Sequence, residues 1–293
     1  MMHIRVSHLL FGLSLLFFFA CSKSELETVP SNQAPPDTTI ETTVYEDYIN
    51  RTYILVLGRE PDSTEFQQAY DLLKSEGLSM QSRYDFLDIV FSGSDYAWRQ
   101  VNRWRLELLN NIDSSDIGVQ IAIFDFLLGD STNQAFWPVI QTERDRLQTL
   151  YNVSYDYVGG LVSIREMQAV MINNYFYDQI NMGADNFVIS SFQHFLDRNP
   201  TLDEQSSGVS MLNGSNAILF LQTGASKDDY LSIFFDSDDY FEGAVRRVYE
   251  DYLLRTPGSM EMSTAALKYR NSLDFEAVQK DVLATDEFAG LDN

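Results

Sequence analysis

The sequence predicts an all-α fold: an irregular array of three full helix-turn-helix units plus one half unit, following a flexible tether. Three observations predict it. An Arg-x-Pro core recurs at Arg59, Arg198 and Arg255, each time behind apolar residues at helical spacing. A second recurring segment ends in a helix start that carries an aromatic residue. The 293 residues are 45% hydrophobic and 13% aromatic, too rich for a disordered chain. One cysteine excludes an internal disulfide and any multi-cysteine zinc or iron–sulfur site.

Residues 1–20 read as a signal peptide. Arg5 gives a basic start, and the apolar run from Leu9 to Phe19 is too short to span a bilayer. Ala20-Cys21 follows, with Phe18 where an aliphatic is usual. This resembles the lipobox of bacterial lipoproteins, in which the Cys is lipidated and becomes the new N-terminus. The resemblance implies a membrane-bound chain with an acyl anchor of the palmitate class at Cys21. Residues 21–44 then form the tether. Their Pro and Ser/Thr content and lack of an apolar period predict a coil reaching roughly 25 Å. Glu25 and Glu27 resemble the acidic surface-export signals of some Bacteroidota lipoproteins.

Two helical repeat regions are expected beyond the tether, 45–160 and a linker-like 161–293. Counting back from Arg59, Arg198 and Arg255, an aliphatic lies at ten, an aromatic at six, an apolar residue at three and Leu at two. These offsets share one helical face. Pro61, Pro200 and Pro257 stand just before or at the start of the following helix, where a missing N–H costs little. Glu65, Glu204 and Glu261 follow at capping-box distance from Asp62, Thr201 and Gly258. Gly258 lacks a capping side chain, so its helix should start less firmly. The arginines are expected to hold the preceding helix's last carbonyls or to pair with the following acid, rather than to bind an anion.

The second half of each unit runs from Tyr84 to Tyr96, from Tyr230 to Tyr240 and from Phe275 to Phe288. A copy without a first half runs from Ile164 to Tyr177. Between these lie a helix through Trp98, Trp104 and Leu109, a helix over Val119–Leu128 and a helix over Phe136–Leu150. Tyr151 to Tyr157 alternates and predicts a short strand or a Tyr-rich loop ending at Gly159-Gly160.

The Leu-x-Arg-x-Pro turn followed by a Ser-x-x-Tyr helix end resembles an uncharacterised repeat domain of secreted bacterial proteins, including calcium-binding RTX-type ones. The order Val162 to Met167, Phe192, then Leu196-Asp197-Arg198-Asn199-Pro200 is similar to the linker domain of phycobilisome rod linkers. A Gly before the Arg, usual in the linker family, stands only at Gly58. The resemblance implies an all-helical scaffold and no catalytic residues.

Chemistry-bearing motifs are sparse. His194 is the single histidine beyond the signal, which rules out a zinc site built on histidines; it is expected at the surface. No phosphate-binding loop, dinucleotide fingerprint or G-x-S-x-G elbow occurs. A net charge of −23, or −24 without Arg5, repels nucleic acid. Asp236, Asp238 and Asp239 are expected to join two helices, with calcium as the alternative. Asp37, Asp62 and Asp130 open Asp-Ser/Thr-Thr triplets that resemble a Bacteroidota O-glycosylation sequon. Trp137, Tyr151, Tyr155 and Tyr157 fall outside the repeat and make the candidate interaction patch.

The expectation is a non-catalytic protein, lipid-anchored at the bacterial outer membrane on its periplasmic or cell-surface face. It would act as a structural or interaction subunit for another envelope or secreted protein, without cofactor, metal or nucleic acid. The alternative is a surface lipoprotein binding glycan or peptide. A carboxylate-dependent hydrolase stands third, because the acids form no evident catalytic pair.

Overall fold

Helix follows helix from Thr42 to Ala289. The structure is a computed structural model and describes residues 40–291; the expected signal peptide, Cys21 and most of the tether lie outside them. Fifteen α-helices, one 3-10 helix and one two-stranded hairpin make up the described residues. From Ile40 onward the chain is one compact unit containing both expected repeat regions.

The units share one plan. A first helix ends in a left-handed residue, a second starts on a capping box, and a third leads into a buried aromatic. Unit 1 is α1 (Thr42–Leu57), α2 (Ser63–Ser75) and α3 (Met80–Ser92). Thus α1 begins inside the segment expected as tether up to residue 44. The α4 helix (Ser94–Leu109), α5 (Ser114–Gly129), a 3-10 turn (Ser131–Phe136), α6 (Trp137–Val158) and α7 (Ile164–Ile172) come next. The short α8 (Tyr175–Ile180) precedes α9 (Ala184–Leu196), α10 (Leu202–Leu212), strands β1 (Ala217–Leu219) and β2 (Gln222–Gly224), and α11 (Lys227–Phe235). The last helices are α12 (Asp238–Leu253), α13 (Ser259–Ser272), α14 (Phe275–Leu283) and α15 (Asp286–Ala289).

The three expected full units are α1–α3, α9–α11 and α12–α14. The expected half unit is α7, and it has more company than its sequence suggests. The α4 helix ends in left-handed Asn110, as α1, α9 and α12 end in Gly58, Asp197 and Leu254. The α5 helix starts on an Asp113/Asp116 capping box, matching Asp62/Glu65 on α2 and Thr201/Glu204 on α10. So α4, α5 and α7 form a divergent fourth unit with α6 inserted between its second and third helices. The α5 helix packs mainly on α6, while α4 still packs on α7.

Repeat positions explain the burial. Ile49, Val188 and Val245, and Tyr53, Phe192 and Tyr249 six residues before each Arg, are all buried. After each third helix, Tyr96, Tyr177, Tyr240 and Phe288 are buried to 2% exposure or less. Asn174, Ser237 and Thr285, three residues earlier, accept a hydrogen bond from the corresponding backbone N–H. Gly93 holds that place before Tyr96 without a side-chain cap.

Third helices pair across the molecule, α3 with α14 and α7 with α11. The same bond lies beside both pairs, from the first turn of the helix that follows α3 or α11: the Tyr96 hydroxyl donates to Gln279 Oε1 (2.5 Å) and the Tyr240 hydroxyl to Gln168 Oε1 (2.6 Å). The same Tyr–Gln bond and the same pairing of third helices thus recur in the two halves of the array. The α3–α14 seam also carries Tyr84–Asp281 and Lys280–Asp88, while Arg83 reaches Asp286. The Tyr48 hydroxyl donates to the Leu283 carbonyl at 3.1 Å, and α15 packs on α1.

Two sequence expectations are corrected here. Residues 151–157 are neither strand nor loop but the last turns of α6. The buried positions Leu147, Leu150, Val153 and Ser154 recur at three and four residues, so helical burial outweighs the aromatic alternation. His194 is half-buried rather than on the surface: its Nδ1 lies 3.1 Å from the Tyr177 hydroxyl, and burial pushes its pKa below the ordinary value. The β1–β2 turn was not foreseen at all. Phe220 and Leu221 both take positive φ there, a conformation for which Asn-Gly is the usual signal.

Candidate interaction surface

The repeated arginines build the same clamp three times. Arg59 grips Glu65 through two bonds of 2.7 Å and also reaches Asp95 at 3.0 Å. Arg198 holds Glu204 at 2.8 and 2.9 Å and Asp239 beside it. Arg255 holds Glu261 at 2.8 and 2.9 Å and Glu287 at 2.6 Å. Each guanidinium also lies over the aromatic residue six positions back, Tyr53, Phe192 or Tyr249. The glutamates accept in addition from the N-cap N–H of Asp62, Thr201 and Gly258. The arginine pulls each of these three carboxyls down to about 2. One guanidinium thereby joins the start of the second helix to the start of the helix that follows the third, α4, α12 or α15. With two carboxylates on each, the geometry is that of a structural clasp.

The acids Asp236, Asp238 and Asp239 diverge. Asp236 faces Arg165, Asp238 faces Arg270, and Asp239 belongs to the Arg198 clamp. They close α11 and open α12. Asp62 and Asp130, two of the triplet aspartates, cap α2 and the 3-10 turn.

The four aromatic residues of the expected patch do not come together. Trp137 opens α6, and Tyr151 lies fourteen residues on, a separation of about 21 Å along a helix. Tyr151 and Tyr155 are one turn apart and exposed, with Tyr155 edge-on to Trp98 at 5.6 Å. Tyr157 turns the other way into a cleft of about 450 Å³, beside Phe91, Phe275, Ser163 and Glu276. Burial pushes the Glu276 carboxyl up. Asp274, the other acid on this cleft, accepts the Ala277 N–H as the cap of α14.

A stronger feature lies on α5, which the sequence marks only as a helix over Val119–Leu128. This helix is apolar around its whole circumference, a pattern that belongs to a buried helix. Only Ile117 and Phe124 are buried. Val119, Ala122, Ile123 and Phe126 are exposed, Phe126 by 74%. Their spacing of three, one and three residues puts them on one stripe. Phe136 and Val139, at the turn into α6, are exposed on the same helical hairpin. A signal was present in the sequence: α5 has polar residues enough for its ends but no polar face.

No described helix is long and apolar enough to cross a membrane. Comparison of the chain with protein-family models, with curated proteins and with solved structures gives no match.

Proposed function

We propose that this protein is a non-catalytic, lipid-anchored subunit of a bacterial envelope that works by docking another envelope or secreted protein. The observation that carries the reading is the apolar stripe of α5. Covering one exposed Val, Ile or Phe side chain contributes about 1.5–3 kcal/mol, and the stripe holds one of each. The clasped arginines support a scaffold role, since they spend the repeat's strongest charges on internal joints. The Ala20-Cys21 site and the tether supply the expected anchor at the outer membrane.

Crosslinking in intact cells tests this. A photoreactive residue at position 126 should capture one reproducible protein, and the same residue at the exposed Met260 should not. A protein that captures nothing at 126 while turning over a substrate would overturn the reading. The alternative, a glycan- or peptide-binding lipoprotein, is favoured by the cleft beside Tyr157. It expects oligosaccharides or peptides to bind there and Glu276→Gln to weaken them. A hydrolase needs a second acid beside Glu276 free for proton transfer, and Asp274 is engaged as a cap.

A further inference from the structure

The two ends of the stripe on α5 carry acids. Residues 106–143 contain Glu107, Asp113, Asp116, Asp125, Asp130 and Glu143, and no Lys, Arg or His. Asp125 is paired with Arg144 and Glu143 with Arg146, both from α6. Asp113, Asp116 and Asp130 make no ion pair among the described residues. Their oxygens only cap backbone at the two ends of the helix. Asp113 and Asp116 therefore stand at one end of the apolar stripe and Asp130 at the other.

We infer that the occupant of this face is an amphipathic helix whose apolar stripe is bordered by Lys or Arg, a cationic segment of the partner protein. The inference rests on the docking reading above and adds the partner's chemistry to it. Length fits: α5 has 16 residues, about 24 Å, which accommodates a helix of roughly four turns. The spacing of the stripe suits the interlocking of two helices. Charge selects among occupants. A second copy paired antiparallel across the stripe brings Asp116 against Asp130 of its mate, acid against acid. A lipid surface rich in anionic headgroups meets the same carboxylates and is repelled. A cationic helix meets them favourably at both ends and gains attraction from a chain of net charge −23.

The test titrates the purified protein into a fluorescent fifteen-residue helical peptide with Leu on its apolar stripe and Lys on the borders. A second peptide carries Glu at the borders. The Lys peptide should bind, and Phe126→Asp should weaken it by at least about tenfold, although that change makes the protein more acidic. Ile123→Ser should act in the same direction, and Asp116→Asn should weaken binding a few-fold at low salt. Phe126 and Ile123 are exposed, so melting of both variants should match the parent. Binding unchanged by Phe126→Asp would reveal diffuse charge attraction and overturn the inference. Equal binding of the Glu peptide would overturn it as well. So would association with phosphatidylglycerol vesicles, or self-association in sedimentation, that Phe126→Asp abolishes. If position 126 still captures a protein in cells while the Lys peptide fails, the partner chemistry falls and the docking reading stands. If the peptide binds as expected while position 126 captures nothing, the docking reading falls and the stripe's chemical preference stands.

Discussion

The α9–α12 crossing and the α1–α4 crossing hold corresponding places in the two halves, and they are filled in opposite ways. Three residues after its buried aromatic, α12 has Gly243 and α4 has Arg99. A Cβ on Gly243 would overlap the Phe195 carbonyl oxygen and lie 3.0 Å from Leu196 Cα, so the two backbones touch. Arg99 holds the other crossing apart, and its guanidinium reaches over Gly58, the left-handed end of α1. A cleft of about 590 Å³ remains there, bordered by Leu55, Arg99, Arg103, Leu106 and Tyr252. The repeat thus fixes which helices cross and leaves the closeness of the crossing to a single residue.

The largest expected effect breaks the tight crossing. Gly243→Ala should destabilise the protein by about 3 kcal/mol, because backbone on the far side cannot yield. Arg99→Ala, in the open crossing, should move stability by less than about 1 kcal/mol. Thermal or denaturant unfolding of the two variants measures the contrast directly.

The next effect sharpens the likeness of the two halves. Tyr96→Phe and Tyr240→Phe each strip the hydroxyl from a buried glutamine oxygen, on Gln279 and Gln168. Each should cost about 1–3 kcal/mol. Similar losses, measured by urea unfolding, would establish the two bonds as counterparts; a loss confined to one would leave the likeness in the helix pairing alone.

Acid comes third. Glu65, Glu204 and Glu261 are held near 2 by their arginines, below the ordinary 4.5. Their contribution is full above about pH 4.5 and is lost as pH falls toward 2. Water screens these partly exposed clamps, so each is worth at most about 1 kcal/mol. In Arg198→Gln the unfolding temperature should fall less steeply over that interval than in the parent. The smallest effect is a gain. Leu254 ends α12 at φ +55° and is 88% exposed. Leu254→Gly should raise stability by about 0.5–1 kcal/mol, matching it to Gly58 in the first unit.

What the sequence discloses depends on where the repeat keeps its marks. Arg-x-Pro with the aromatic six residues before it located α1–α2, α9–α10 and α12–α13. The α4–α5 turn is the same turn with those marks erased: Asn111 stands for Arg, Arg105 for the aromatic, and no Pro follows. Val101, Leu108, Leu109 and the Asp113/Asp116 box survive. The candidate surface was harder to read. An apolar helix looks the same in sequence whether it enters the core or faces outward, and the insertion of α6 decides the matter by covering one side of α5 only. The Tyr-rich end of α6 misled for a related reason, since its pairing with α4 lies far away in sequence.

The seam between α3 and α14 also sets a timetable. Tyr48, Tyr84 and Asp88 find their mates only at Leu283, Asp281 and Lys280, more than 190 residues further along the chain. During synthesis α1–α3 can pack on one another and on α4, but the side that α14 and α15 cover stays open until nearly the whole polypeptide is made. The first unit of the described residues is therefore the last to have all its contacts filled, and a chain clipped of α14 and α15 would leave Tyr48, Tyr84 and Asp88 without their mates.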